Sequence, residues 1–312
     1  MKYVPKTKEE LKALCDDLSV NLGDIDTSRI TDMSELFYNS ERKDFSGIET
    51  WDVSHVTSMR ETFCCARYFN ADLSKWDVSN VTDMHSMFYG CPKFYSDLNS
   101  WNVSNVENMG FMFACGATGW DVGIEDSCNP AISDWDVSNV TDMEHMFFGN
   151  KKFNQDISGW DVSNVSDMSA MFLFARSFNQ PIGNWDVSKV TDMHYMFSSA
   201  ESFNQPIGNW DVSNVTNMDA MFDGAVSFNQ KLPDKWVEKA GWYTDSVIKQ
   251  DSLEKVKDSS PFLKQDYLRK NKVSFNEISV VLAEAVHDLV KRGAKNRDIN
   301  RALKNMARGV SR

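Results

Sequence analysis

The chain has 312 residues, apolar content sufficient for a sizeable core, and a formal charge of −12. That charge is uneven: residues from Ser246 to Arg312 carry 15 Lys+Arg against 8 Asp+Glu, which leaves 18 against 37 on residues 1–245. So acidic a body excludes attraction to nucleic acid or anionic lipid, and only the basic tail could serve such a partner. The opening Met1-Lys-Tyr-Val-Pro-Lys-Thr-Lys-Glu-Glu lacks the apolar centre of a secretory signal. No lipid-attachment cysteine follows it, and no apolar run has the length of a membrane span. The expected location is inside the cell or within a viral particle. Cys15, Cys64, Cys65, Cys91, Cys115 and Cys128 show no Cys-x-x-Cys spacing and read as free thiols.

The first element is a helix. Thr7-Lys-Glu-Glu10 has the form of a capping box, and Leu11, Leu14, Cys15 and Leu18 follow on one helical face. A helix over 7–18, within an N-terminal cap of residues 1–24, is predicted to cover one end of what comes next.

Residues 25–245 are dominated by a repeat. Trp51, Trp76 and Trp101, then Trp135, Trp160, Trp185 and Trp210, recur at intervals of 25 residues, with one interval of 34, and Ile25 takes the same place at the start. Around each position lies Trp-Asp-Val-Ser-Asn-Val-Thr-Asp-Met-x-x-Met-Phe, as in Trp135 to Phe147, followed later by Phe-Asn-Gln-x-Ile-x-x-Trp, as in Phe178 to Trp185. Met143, Met146 and Phe147 stand at i, i+3 and i+4 after Thr141-Asp-Met-Glu144, which predicts a short helical turn. Asn179 to Trp185 predicts a short strand, with Pro181 and Pro206 tolerated near its beginning. One unit cannot bury its Trp, Ile, Met and Phe alone, so neighbours must stack. The expected fold is an α/β repeat solenoid: a leucine-rich-repeat-like stack of short parallel strands and short helical turns, flanked by the N-terminal helix and a C-terminal helical segment.

These motifs resemble the repeat of BspA-like leucine-rich-repeat proteins, over about two thirds of the chain. The resemblance implies a leucine-rich-repeat type solenoid with a role in adhesion or protein binding, and it brings no catalytic residues. Similar arrays occur in bacterial surface proteins, protists, phages and large DNA viruses.

Two acidic columns run through the repeats. One comprises Asp26, Asp52, Asp77, Asn102, Asp136, Asp161, Asp186 and Asp211. The other comprises Asp32, Asp83, Asp142, Asp167 and Asp192, with Ser58, Asn108 and Asn217 in its gaps. Local capping of each unit's own turn is the expected role; a row of calcium sites is the alternative. Asn80, Asn139, Asn164 and Asn214 stand in glycosylation-type triplets that recur because the turn does. His55, His85, His145 and His194 have no partner at triad or metal spacing, so neither catalysis nor a cofactor is expected.

Where the period breaks, contacts with a partner are expected. An insertion near 114–131, flanked by Cys115 and Cys128, offers Trp120, Asp121, Glu125 and Asp126, either as a neutral loop or as a protein contact. Beyond Trp236 and Trp242, the segment 246–312 predicts two helices at 3.6-residue spacing, with Arg292, Lys295, Arg297, Arg301, Lys304 and Arg308 on and between them. This basic pair is read as a solvated appendage, as a module docking the chain into a larger assembly, or as a nucleic-acid contact through 260–312. The sequence thus predicts a non-enzymatic scaffold that binds protein. An adhesin exported without a recognisable signal is the alternative.

Overall fold

In a computed structural model of the chain, residues 2–115, 128–233 and 236 are described. They belong to a unit made of Met1–Cys115 and Asp126–Val247; the second unit, Gly116–Glu125 with Ile248–Arg312, lies outside them, as do the predicted C-terminal helices. Lys8–Asp16 forms helix α1, shorter than the predicted span. Thr7 Oγ1 accepts the Glu10 N–H at 3.3 Å, and the Glu10 carboxylate accepts the Lys6 N–H at 2.6 Å, satisfying donors that a helix start leaves orphaned. At the other end, the buried guanidinium of Arg42 donates to the carbonyls of Cys15 and Asp17. A cation is favoured there by the helix dipole. Leu11 and Cys15 are fully buried and join the repeat core.

The repeats depart from the α/β solenoid expected of them. Among the described residues there is no continuous strand, and within the repeats from Ile25 to Pro233 there is no α-helix. The units are joined instead by isolated parallel bridges running through Asp32, Ser58, Asp83, Asn108, Asp142, Asp167, Asp192 and Asn217, with a second bridge, Asp97 to Ala131, at the step that carries the insertion.

The hydrogen bonds give the reason. In the Met-x-x-Met-Phe segment, alternate N–H groups leave the unit: Met143, His145, Phe147 and Gly149 donate to the carbonyls of Asp167, Ser169, Met171 and Leu173. The N–H groups between them close three-residue turns, Met146 to Met143 and Phe148 to His145. An α-helix would need every N–H for its own i−4 carbonyl. The second x residue is also left-handed, with φ between 51° and 59° at Glu35, Glu61, Ser86, Phe111, His145, Ala170, Tyr195 and Ala220. Such a residue costs roughly 1–2 kcal/mol in an L-chain, and it interrupts any right-handed helix after one turn.

The strand expected at Asn179–Trp185 is absent for a related reason. Pro181 has no N–H, and Ile182 and Trp185 donate locally to Gln180 and Ile182. Neighbouring units are joined in this region by side chains: Asn154 Oδ1 accepts from the Asn179 N–H at 2.9 Å and from Gln180 Nε2 at 2.9 Å, and Asn179 does the same for Asn204 and Gln205.

Inside the stack, like sits on like. The Phe at the end of each Met-x-x-Met-Phe forms a column from Phe37 through Phe63, Phe88, Phe113, Phe147, Phe172 and Phe197 to Phe222, with centroids 5.4–6.0 Å apart and planes within 10°. The Trp residues stack in the same sense, as in Trp185 on Trp210 at 6.4 Å and 4°. From Trp51 to Trp210 each indole Nε1 donates to a carbonyl of the preceding unit, as Trp185 does to Ile157 at 3.2 Å. The methionines of the repeats, Met33 to Met221, fill the remaining space and are buried.

Candidate binding surface

The consensus polar side chains are occupied in holding the stack together. In the first acidic column Oδ1 accepts the N–H of the Ser two residues on, as Asp186 does from Ser188 at 3.0 Å, and the Ser hydroxyl donates to the same oxygen in Asp26, Asp52 and Asn102. These bonds hold the Asp26, Asp52, Asp77, Asp161 and Asp186 carboxyls below the usual range. The second column caps its own turns, with Asp142 Oδ1 accepting the Glu144 N–H at 2.9 Å. Among the described residues no cluster of three His, Cys, Asp or Glu is arranged to hold a metal ion.

The four triplet asparagines, and Asn105 at the same place in its unit, are occupied as well. Nδ2 of Asn80, Asn105, Asn139, Asn164 and Asn214 donates to a Ser carbonyl of the preceding unit at 2.6–2.7 Å. The hydroxyls of Thr141, Ser166, Thr191 and Thr216 donate backwards in the same way at 3.0–3.2 Å. Between these two rows runs a polar groove of about 710 Å³.

What differs from unit to unit is the pair of x positions and the residue after the Phe. The first x column reads Ser34, Arg60, His85, Gly110, Glu144, Ser169, His194 and Asp219. Beside it, the left-handed residues and the position after Phe present half-buried rings. His85 meets Phe111 edge-on at 5.6 Å, and Phe111 carries the His145 imidazole stacked at 4.3 Å. His145 meets Phe148 at 5.7 Å, and Phe148 meets Phe174 at 6.0 Å. This aromatic strip is bordered by Asp142, Glu144, Asp167 and Asp192, all half-buried.

Burial in this strip perturbs its titrating groups. It lowers His145 to about 4, with the nearby His194 adding to the effect. His85 is lowered by burial first and by the Arg60 charge second. Asp142 is raised, mainly by burial, and Glu144 is raised by burial and then by the charge of Asp142. His194 goes the other way, because its Nδ1 bonds Asp192 Oδ1 at 2.7 Å. Neither His85 Nδ1 nor His145 Nδ1 has a hydrogen-bond partner; the latter lies 4.0 Å from Glu144 Oε2, beyond bonding reach. Gly110 is what lets the strip close up: a Cβ there would stand 2.9 Å from His85 Nδ1 and 3.2 Å from Glu144 Cγ, which lean over it from either side.

The contact residues expected from sequence stand at other positions along the chain. Trp120, Asp121, Glu125 and Asp126, and Arg292, Lys295, Arg297, Arg301, Lys304 and Arg308, fall outside the described residues. The strip itself was not singled out in the sequence, because the x positions of a helical turn read as solvated filler. Its signal is the set of rings at Phe111, His145 and Tyr195 in the second x position, with Phe148 and Phe174 one and two residues after the repeat Phe. Among the described residues no helix is long and apolar enough to cross a membrane.

Residues 9–121 and 121–236 each match a family whose description is "Mycoplasma protein of unknown function, DUF285". Neither a curated protein nor a solved structure matches the chain. Two consecutive matches that together span well over half of the sequence, and cover the tandem units described above, show that the chain belongs to the DUF285 family.

Proposed function

We propose that the chain is a non-enzymatic protein-recognition scaffold that binds a partner through the aromatic strip from His85 to Phe174. One observation carries this reading: the consensus polar groups bond within the stack, while the unit-specific residues gather into a half-buried row of rings edged with carboxylates. Rings of this kind supply contact area with little side-chain entropy to lose. The motif-level likeness to BspA-like repeats supports the same reading, and docking through the basic 246–312 segment into a larger assembly is the complementary part of it.

The repeat supplies its own controls for a test. Ser198 and Ser199 occupy the slots of Phe148 and Phe174 in a neighbouring unit, so F148S with F174S removes two rings using residues that the fold already accommodates. Partner recovered by crosslinking from the native source should fall at least tenfold with this double variant and remain unchanged with T141S on the polar groove. Equal recovery with both would reject the strip as the binding face.

A further inference from the structure

Cys115 and Cys128 bracket the insertion, and their sulfur atoms lie 3.3 Å apart. Both thiols are buried, at 3% and 0% exposure. Cys128 is also a departure from the repeat. Counting back four residues from Leu73, Leu98, Ile157, Ile182, Ile207 and Leu232 gives Phe69, Phe94, Phe153, Phe178, Phe203 and Phe228, and the first unit has Phe45 three before Ile48, but Cys128 stands before Ile132. Cys115 stands in a variable slot, shared with Cys65, Gly90 and Gly149, as its N–H bond to the Phe148 carbonyl at 2.7 Å shows.

The space left by the missing ring at Cys128 is partly taken by Asn150, where other units have Ala66, Cys91, Ala175, Ala200 and Ala225. Its Nδ2 donates to the Phe113 carbonyl at 3.3 Å and approaches Cys128 Sγ at 3.4 Å. Replacing a core Phe by Cys leaves a cavity and costs stability unless the neighbourhood compensates. Here a compensating residue from the next unit and a second cysteine both face the exchanged position, beside the insertion.

We propose that Cys115 and Cys128 form a disulfide that closes residues 116–127 into a covalent ring anchored on the stack. The sulfurs already touch, and bonding needs them to approach by about 1.3 Å to reach a length of about 2.05 Å. The oxidant is a low-molecular-weight disulfide, RSSR. The Cys115 thiolate attacks one of its sulfurs and releases RS⁻; the Cys128 thiolate then attacks the Cys115 sulfur of the mixed disulfide and releases the second RS⁻. Two protein thiols are oxidised, RSSR is reduced to two RSH, and the two thiol protons end on the released thiols. A hydrogen bond donated by Cys128 lowers the Cys115 thiol and raises that of Cys128, which makes Cys115 the first nucleophile. Elsewhere, Cys91 donates to the Phe63 carbonyl at 2.9 Å, and burial pushes the Cys15 thiol up to about 12.

The test uses the full chain equilibrated with oxidised or reduced glutathione, then denatured and alkylated. After oxidation, four of the six cysteines should take alkyl groups, and the peptides holding Cys115 and Cys128 should be recovered joined. Cleavage by protease within 116–127 should yield two fragments that separate on a denaturing gel only after reduction; in C128S they should separate in either state. Should C128S fail to fold, the joined peptide from the unaltered chain decides the matter. Six alkylated cysteines after oxidation, a stable glutathione adduct on Cys115, or a crosslink mapped to Cys64, Cys65 or Cys91 would overturn the proposal.

Discussion

The imidazole of His145 lies flat on the Phe111 ring, with 4.3 Å between centroids and 5° between planes, and its Nδ1 has no hydrogen-bond partner. It is therefore buried as a neutral base, lowered to about 4. Between that value and its ordinary 6.5 the unfolded chain binds a proton that the folded chain refuses, so stability falls as pH drops through this window. The expected loss from this group is about 2 kcal/mol between pH 7 and pH 5. His194, Asp142 and Glu144, all raised, change in the opposite direction and are common to the chain and its variant. H145F, with Phe as at Phe111 in the same slot, should therefore lose about 2 kcal/mol less than the unaltered chain, as read by urea unfolding at the two pH values. Equal losses would show that His145 is protonated in the fold.

Trp185 tests the indole ladder. Its Nε1 donates to the Ile157 carbonyl, which also accepts the Trp160 N–H. W185F keeps a stacked ring but removes that donor and part of the packed volume, and should cost about 2–3 kcal/mol in urea unfolding. Each unit contacts only its neighbours, so loss here should uncouple the units on either side. A change below about 0.5 kcal/mol would show that the ladder bond is not used.

Two glycines near consecutive tryptophans should behave differently. A Cβ on Gly159 meets nothing within 4 Å, whereas one on Gly183 would collide with the backbone carbonyl of Pro206 in the next unit. G159A should stay within about 0.5 kcal/mol of the unaltered chain, while G183A should cost about 1–3 kcal/mol, by the same unfolding measurement. The reverse order would contradict the close approach of the two units.

The first acidic column should act as caps rather than as a cation row. Asp186 Oδ1 accepts the Ser188 N–H at 3.0 Å, an acceptor role that Asn102 fills in its own unit. D186N should thus be nearly neutral and D186A should cost about 1 kcal/mol. Melting temperature measured with calcium and with a chelator should agree within about 1 °C, since no ligand set would be filled or emptied. A calcium-dependent rise of several degrees would restore the cation reading.

Much of this molecule is legible in its sequence. The 25-residue period, the inward Trp, Ile, Met and Phe, the role of Thr7 at the start of α1 and the capping by the Asp columns all follow from spacing and side-chain chemistry. Spacing by itself could not assign the backbone. Met143, Met146 and Phe147 share one face of a helix, yet they also share the inside of a turn ladder, and the choice depends on carbonyls 24 residues away in the chain. Stacking supplies those acceptors, offsets the left-handed residue at His145, and so replaces helix and strand by linked turns. The tertiary structure alone also decided which side chains meet. His145 comes onto Phe111, and Cys128 comes into a phenylalanine slot against Cys115, because residues far apart in sequence become neighbours when successive units stack in register.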